Sequence, residues 1–180
     1  MPNEKKLPPT ILFIFGGSGD LTNRKLIPAL YNLYIDNYLP EKFVVIGVGR
    51  TSFASDDEYR SKLLEGVQQF SRRKDNIAEK WNAFASMISY HELDLLENAT
   101  YGDINNWINN KAKDWNEKPT VIYYLSVAPQ LAPAIAQKLS DNKLCEDDAT
   151  TRMVFEKPFG HDLKSAVALN QLLNKMFKED

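Results

Sequence analysis

The sequence predicts an α/β fold, a doubly wound and mainly parallel sheet with helices on both faces. Three observations lead there. Short runs at residues 11–15 (ILFIF), 43–48 (FVVIGV) and 121–125 (VIYYL) carry no charge and are rich in Ile, Val, Phe and Tyr, as strands buried on both faces are. Stretches with helical apolar spacing separate them, so strand and helix alternate along the chain. The first run stops abruptly at Gly16, Gly17, Ser18 and Gly19, and a helical pattern follows. At 180 residues there is chain enough for one domain with a real core and too little for two large ones.

Residues 11–15 form the first strand. Glycines directly after it let the backbone turn sharply and leave no Cβ between main chain and ligand. The next helix points its unbonded N–H groups back at that turn, where they and the helix dipole favour a phosphate. Strand, glycine turn and helix open a dinucleotide-binding unit. The spacing departs from G-x-G-x-x-G, with glycines at 16, 17 and 19 followed by Asp20 and Leu21, and a plain strand-to-helix connection could use the same residues. The helix is expected over about residues 20–37, with Leu26, Leu30, Leu33 and Tyr34 as its core stripe and Pro40 beyond its end. Arg24 and Lys25 stand in its first turns, where cations are mildly unfavourable. Solvated surface is the simpler account of them; a bound anion would be a reason to place them there.

Residues 43–48 make the second strand, and Gly49, Arg50, Thr51 and Ser52 follow it. In a dinucleotide fold an acid near this tip usually receives the adenosine ribose, but the nearest acid here is Asp56. Arg50 with the Thr51 and Ser52 hydroxyls suits a 2′-phosphate instead; the alternative is a surface arginine at a strand end. Helices are expected over residues 56–70 and about 76–87, the second with Ile77, Trp81 and Phe84 inward, and Arg72, Arg73 and Lys74 between them read as a solvated loop. A weaker third strand, residues 88–93, ends at Asp94 and Leu95, a tip that would lie near the adenine end of a dinucleotide. His91 reads as a strand residue, because no second histidine, cysteine or close acid pair completes a metal site.

A helix over residues 101–115 turns Ile104, Trp107 and Ile108 inward. The fourth strand, residues 121–125, is followed by Ser126, Val127, Ala128 and Pro129, whose small side chains would let a flat ring lie against the backbone. A helix to about Ser140 and a polar loop over residues 141–151 come next. The fifth strand, residues 153–155 with Arg152, runs into Glu156-Lys157-Pro158-Phe159-Gly160 and a helix over residues 162–177. Asp162 can cap that helix, and Ala166, Leu169, Leu173 and Met176 form its buried stripe. Lys157, at the end of a buried strand and before a proline, is well placed to serve a site; a charged strand end with a turn proline is the other reading.

The balance of 22 basic and 24 acidic residues gives a net charge of −2, which points to neither nucleic acid nor an acidic membrane. Cys145 is the only cysteine, so no internal disulfide can form, and a reducing cytoplasm is expected. The first apolar run is five residues long, too short for a signal segment or a membrane span. Ligands on doubly wound sheets sit at the carboxyl ends of the strands. The glycine turn, Arg50, Asp94 and Leu95, Ser126 to Pro129 and Lys157 all fall at those ends.

Four motifs, GGSGDLTNRKL at 16–26, IGVGRT at 46–51, YYLSVAP at 123–129 and EKPFGHDL at 156–163, resemble the N-terminal coenzyme domain of the glucose-6-phosphate dehydrogenase family, in the family's order. The resemblance covers essentially the whole chain and is specific, above all in GxxGDL with RKL and the later EKPFG. It implies a Rossmann domain serving the oxidation of glucose 6-phosphate at C1 to 6-phosphogluconolactone, at the entry to the pentose phosphate pathway. The implied hydride acceptor is NADP, with NAD as a weaker alternative. By the same resemblance Gly16, Gly17, Ser18, Gly19, Asp20 and Leu21 bind the pyrophosphate, and Arg50, beside Thr51, takes the 2′-phosphate. Lys25 and Lys157 match lysines on the cofactor and substrate side, with Lys157 at the sugar–nicotinamide junction and Pro158 positioning it.

The family continues past this length into an Asp-His-Tyr segment that grips substrate phosphate, then a β+α domain holding the general-base histidine and the dimer surface. The chain is therefore expected to be an isolated coenzyme domain that binds dinucleotide but does not turn over the sugar. Its parent is expected to be a homo-oligomer through the further domain. His91 and His161 are the only histidines, and neither falls at a predicted tip beside Lys157. Two other readings stand beside this one. A sugar dehydrogenase family that also joins a Rossmann domain to Glu-Lys-Pro normally carries G-x-G-x-x-G in its first turn. An NADP-binding sensor without chemistry would account for the strand tips but gives no reason for Lys157-Pro158.

Overall fold

The computed structural model describes residues 7–146, 149–157 and 163–176. Among them the sheet has five strands in the order β3-β2-β1-β4-β5, with β1 Thr10–Phe15, β2 Phe43–Gly49, β3 Ile88–Glu92, β4 Thr120–Leu125 and β5 Thr151–Phe155. Every pairing is parallel. β1 lies at the centre, with Phe15 beside Val48 of β2 on one side and Leu125 of β4 on the other. The chain winds outward from β1 to β3, then crosses back to β4. The crevice at the carboxyl ends of β1 and β4 is thus the topological switch point, where such sheets take their ligands. This is a Rossmann-like arrangement.

The pleat of β1 divides the core. Ile11, Phe13 and Phe15 face one layer with Tyr101, Ile104, Ile135 and Leu139. These come from α4 (Ala99–Trp115) and α5 (Ala132–Asp141). Leu12 and Ile14 face the other layer with Ile27, Tyr31, Tyr59, Leu63, Trp81 and Phe84. Those come from α1 (Ile27–Ile35), α2 (Asp56–Phe70) and α3 (Ile77–Ala85). Alternation along a strand that is buried throughout explains why ILFIF contains no polar position. α2 starts at a Ser55 cap, whose hydroxyl accepts from Glu58 N at 3.2 Å.

Two expectations need correction. The first helix is not one regular stripe. A π-turn, Thr22–Leu26, precedes α1, and its extra residue rotates the buried face onto Thr22, Ile27 and Tyr31. Leu26, Leu30 and Tyr34 pack at the margin of the core, while Leu33 is 41% exposed and does not belong to it. The helix stops at Ile35 because Asn37 turns left-handed at φ 58°, letting Tyr38 N reach back to Leu33 O at 2.9 Å. The loop before β5 is also not uniformly polar. Leu144 and Cys145 are buried in it, and Leu144 O accepts from the Tyr123 hydroxyl at 3.2 Å.

The remaining boundaries agree to within about two residues. In α6 (Leu163–Met176) Leu169 is buried, as its place on the expected stripe requires. Pro158, His161 and the Asp162 cap lie outside the described residues. No described helix is long and apolar enough to cross a membrane.

Candidate functional site: the carboxyl edge of the sheet

The three glycines of the first turn are there for different reasons. Gly16 has φ +86°, and a Cβ on it would lie 2.1 Å from Ser126 O, so both its conformation and the approach of β4 demand glycine. A Cβ on Gly17 would lie 2.6 Å from Gly47 Cα, so the turn rests directly on β2. Gly16 N and Gly17 N both donate to Val48 O, at 2.8 and 3.0 Å, and fix that contact. Gly19 differs: a Cβ there would meet only Gly16 O within 4 Å, at 3.1 Å, and its φ is not positive. The fold demands less of Gly19 than of Gly16 or Gly17, where a Cβ would meet backbone at 2.1 and 2.6 Å, and the space beside Gly19 is the cradle that a Cβ would fill.

Beneath the turn lies an aromatic platform that sequence reasoning missed. The Tyr59 hydroxyl donates to Gly17 O at 2.8 Å, and Tyr59, Tyr90 and Phe53 pack with ring centroids 4.7 to 5.2 Å apart. Gly47 makes room, since a Cβ on it would lie 2.5 Å from the Tyr59 oxygen. A glycine inside a buried strand signals such a close approach, and FVVIGV carried that signal. Buried Thr22 donates to Gly16 O at 3.0 Å and so couples the π-turn to the glycine turn. Gly66 of α2 admits the π-turn, because a Cβ there would sit 2.3 Å from Asn23.

At the end of β2, Arg50 and Thr51 are exposed. Thr51 Oγ1 and Ser18 Oγ share a hydrogen bond of 2.7 Å, which ties this tip to the glycine turn. Among the described residues Arg50 and Lys25 make no side-chain hydrogen bond or ion pair. Arg24, next to Lys25, is engaged: it pairs with Asp20 at 3.3 Å and lies 5.1 Å over the Phe70 ring. Asp56, the nearest acid, is not at the tip. Its carboxylate accepts from Tyr90 N at 2.8 Å and lies 3.6 Å from Arg60.

The β3 tip is more structural than its position suggested. Leu95 is buried in the core, and its carbonyl accepts from the Tyr101 hydroxyl at 2.8 Å. Asp94 is exposed beside it and accepts from Leu96 N at 2.9 Å. His91 stacks on Trp107 at 3.9 Å, and its burial lowers its pKa, with Asp56 and Asp103 opposing. Among the described residues no cluster of His, Cys, Asp and Glu could hold a metal ion.

Across the switch point, a cleft of about 190 Å³ is lined by Leu21, Ser126, Val127, Pro129, Phe155 and Lys157. It joins the helix after the glycine turn to the tips of β4 and β5. Ala128 is exposed at its rim, and Lys157 is exposed without a side-chain partner among the described residues. Before it, Glu156 accepts from the Tyr124 hydroxyl. Burial first, and Glu156 second, push the Tyr124 pKa up to about 12. The edge as a whole offers an open glycine turn, uncommitted cations at either end and an apolar slot between them, which fits an extended dianionic dinucleotide.

Comparison with known proteins agrees with that chemistry. A family model described as glucose-6-phosphate dehydrogenase, NAD binding domain, matches residues 13–180. The glucose-6-phosphate 1-dehydrogenase of Chlamydia pneumoniae is 34% identical over 178 residues, covering 96% of this chain and 34% of the relative. That of Bacillus subtilis is 32% identical over 173 residues, covering 96% and 34%. Among solved structures, a glucose-6-phosphate dehydrogenase in complex with its substrate glucose-6-phosphate superposes with a TM-score of 0.82 at 31% identity, over 95% of this chain and 35% of that one. The Mycobacterium avium enzyme gives 0.78 at 27%. The chain spans about a third of the length of the curated relatives it matches.

Proposed function

We propose a function from one premise: the chain belongs to the family of glucose-6-phosphate dehydrogenase NAD-binding domains. It serves as the coenzyme domain of an enzyme that oxidises glucose 6-phosphate at C1 to 6-phosphogluconolactone, in the pentose phosphate pathway of the cytoplasm. NADP is the preferred coenzyme, and when bound it supplies the nicotinamide carbon that accepts the hydride. The glycine turn from Gly16 to Leu21 holds the pyrophosphate with Lys25, through the N–H groups of Ser18, Asp20 and Leu21, since those of Gly16, Gly17 and Gly19 are bonded within the fold. Ser126 to Pro129 hold the flat ring against the backbone, and Lys157 orients the sugar beside it. Asp94 rims the adenine end, and buried Leu95 fixes that tip through the Tyr101 bond to its carbonyl.

The observation that carries the preference for NADP is the contrast between Arg50 and Asp56. The cation at the β2 tip is uncommitted, while the acid that would serve an unphosphorylated ribose is bonded to β3. A charge-assisted hydrogen bond to the 2′-phosphate is worth about 1.5–3 kcal/mol, roughly ten- to a hundredfold in affinity. Titration of NADP⁺ and NAD⁺ against wild type and Arg50→Ala should show that loss for NADP⁺ alone. An unchanged ratio would sink the assignment.

The 180-residue chain by itself is proposed to bind without turnover, the parent being a homo-oligomer through further chain. Loss of the C1 hydroxyl proton needs a base within hydrogen-bond reach. His91 is on β3 and Lys157 follows β5, at opposite edges of the sheet. Four strand spacings, roughly 19 Å, separate those edges.

A further inference from the structure

Tyr90 holds a hydroxyl that the fold does not use. The residue is only 9% exposed, its ring is wedged between Tyr59 and Phe53, and its oxygen finds no hydrogen-bond partner among the described residues. It nonetheless reaches the functional edge. A Cβ on Gly49 would lie 3.0 Å from the Tyr90 oxygen and 3.9 Å from Ser18 Oγ. The Ser18 hydroxyl and both the hydroxyl and the backbone of Thr51 are close enough to pull its pKa down against the larger, upward effect of burial, yet none of the three meets hydrogen-bond geometry with it. A buried hydroxyl left unpaired destabilises a protein. An isosteric phenylalanine would remove that penalty.

Counting protons suggests what the hydroxyl is for. Ser18, Thr51 and Tyr90 each carry one hydroxyl proton and can each accept. In the Ser18–Thr51 bond one of the pair is committed to the other. A phosphate oxyanion only accepts, so it would draw both of their protons outward and leave both oxygens as acceptors facing the protein. We propose that Tyr90 is a specificity-determining positioning residue, whose hydroxyl donates to Ser18 Oγ or Thr51 Oγ1 when those two turn their protons to a 2′-phosphate. The chain of donors is then complete, and each bond polarises the next. An unphosphorylated ribose leaves the Ser18–Thr51 bond in place and gives Tyr90 nothing to do. This rests on the reading of the Arg50 corner as a 2′-phosphate site.

The test titrates 2′,5′-ADP and 5′-AMP against wild type, Tyr90→Phe and Arg50→Ala, with melting of each ligand-free protein. Tyr90→Phe should weaken 2′,5′-ADP about tenfold and 5′-AMP less than about twofold, with an equal or higher melting temperature. In a Ser18→Ala, Thr51→Val background the same change should have no effect on either probe. Equal losses for both probes, unchanged 2′,5′-ADP affinity or a lower melting temperature would overturn the proposal, the last by showing the hydroxyl already partnered. If Arg50→Ala erases the preference for 2′,5′-ADP and Tyr90→Phe does not, only the role of Tyr90 falls. If Arg50→Ala leaves the preference intact, the 2′-phosphate reading falls and this proposal with it.

Discussion

The two ends of the crevice are built to different tolerances. At the β1–β2 corner the glycine turn is held from every side. Val48 O takes two of its N–H groups, Tyr59 and Thr22 donate to two of its carbonyls, and Gly47 lets the turn sit directly on β2. At the β4–β5 corner the walls are side chains around a slot, and Lys157 stands in solvent. The difference teaches where each half of the chemistry obtains its precision. Backbone donors cannot reorient, so a phosphate held at the turn, as proposed, would need their geometry preset by packing. A lysine ammonium on a flexible stem gains its orientation from what it binds.

Glycine substitutions break that comparison most strongly. Gly16→Val forces a side chain into φ +86° and onto Ser126 O. Backbone strain and overpacking together should cost about 3–5 kcal/mol. Set against a typical total of about 5–15 kcal/mol, that should appear as a large drop in melting temperature or as failure to accumulate folded protein. A Cβ on Gly19 meets only Gly16 O, at a tight 3.1 Å, and its φ is not positive. Gly19→Val should melt cooperatively, within about 1 kcal/mol of wild type, while losing dinucleotide binding because the side chain fills the cradle. A normal melt for Gly16→Val, or retained affinity for Gly19→Val, would show that the turn is not divided in this way.

Reading the sequence recovered the fold because β1 and β2 are buried on nearly every residue, and β4, buried on one face and half-buried on the other, is almost wholly apolar and aromatic. It also brought most of the candidates together, since Gly16 to Gly19, Arg50, Thr51, Asp94, Leu95, Ser126 to Pro129 and Lys157 follow strand ends that parallel winding sets along one edge, while Lys25 lies in the π-turn. What it missed lies in cross-strand register. Tyr59 falls on the apolar stripe of α2 with Leu63 and Val67 and reads as core. That its oxygen reaches Gly17 depends on how β2, α2 and the turn stack, which no local spacing encodes. The π-turn escaped for a related reason. It fits only where Asn23 can lie against Gly66, 43 positions apart, and a regular helical stripe misassigned Leu33.

Deleting one hydroxyl at each corner sharpens the contrast. Tyr59 is fully buried and bonded to Gly17 O. Tyr59→Phe leaves that carbonyl without its donor and should cost about 1–3 kcal/mol in urea unfolding, with weaker dinucleotide binding. A loss below a few tenths of a kcal/mol would mean that the turn holds its shape without the platform.

The smallest effect belongs to Tyr124→Phe at the other corner. Its hydroxyl donates to Glu156, but both side chains are partly solvated, so screening should keep the loss near pH 8 to about 1 kcal/mol or less. The contact carries its own pH signature. Tyr124 titrates near 12 in the folded chain against an ordinary 10.0, because burial and the Glu156 carboxylate both disfavour the phenolate. A pKa raised by folding means that the protonated form binds the folded state better. Its contribution is therefore complete below pH 10 and is lost as pH rises from 10 toward 12. Other buried tyrosines lose stability over the same range, but they do so equally in wild type and variant, so the difference between the two isolates Tyr124. Urea midpoints at pH 8 and pH 11 should show a gap that narrows at the higher pH. A gap that stays constant would separate the Tyr124–Glu156 contact from the protonation of the phenol, and the β4–β5 corner would then owe its order to packing alone.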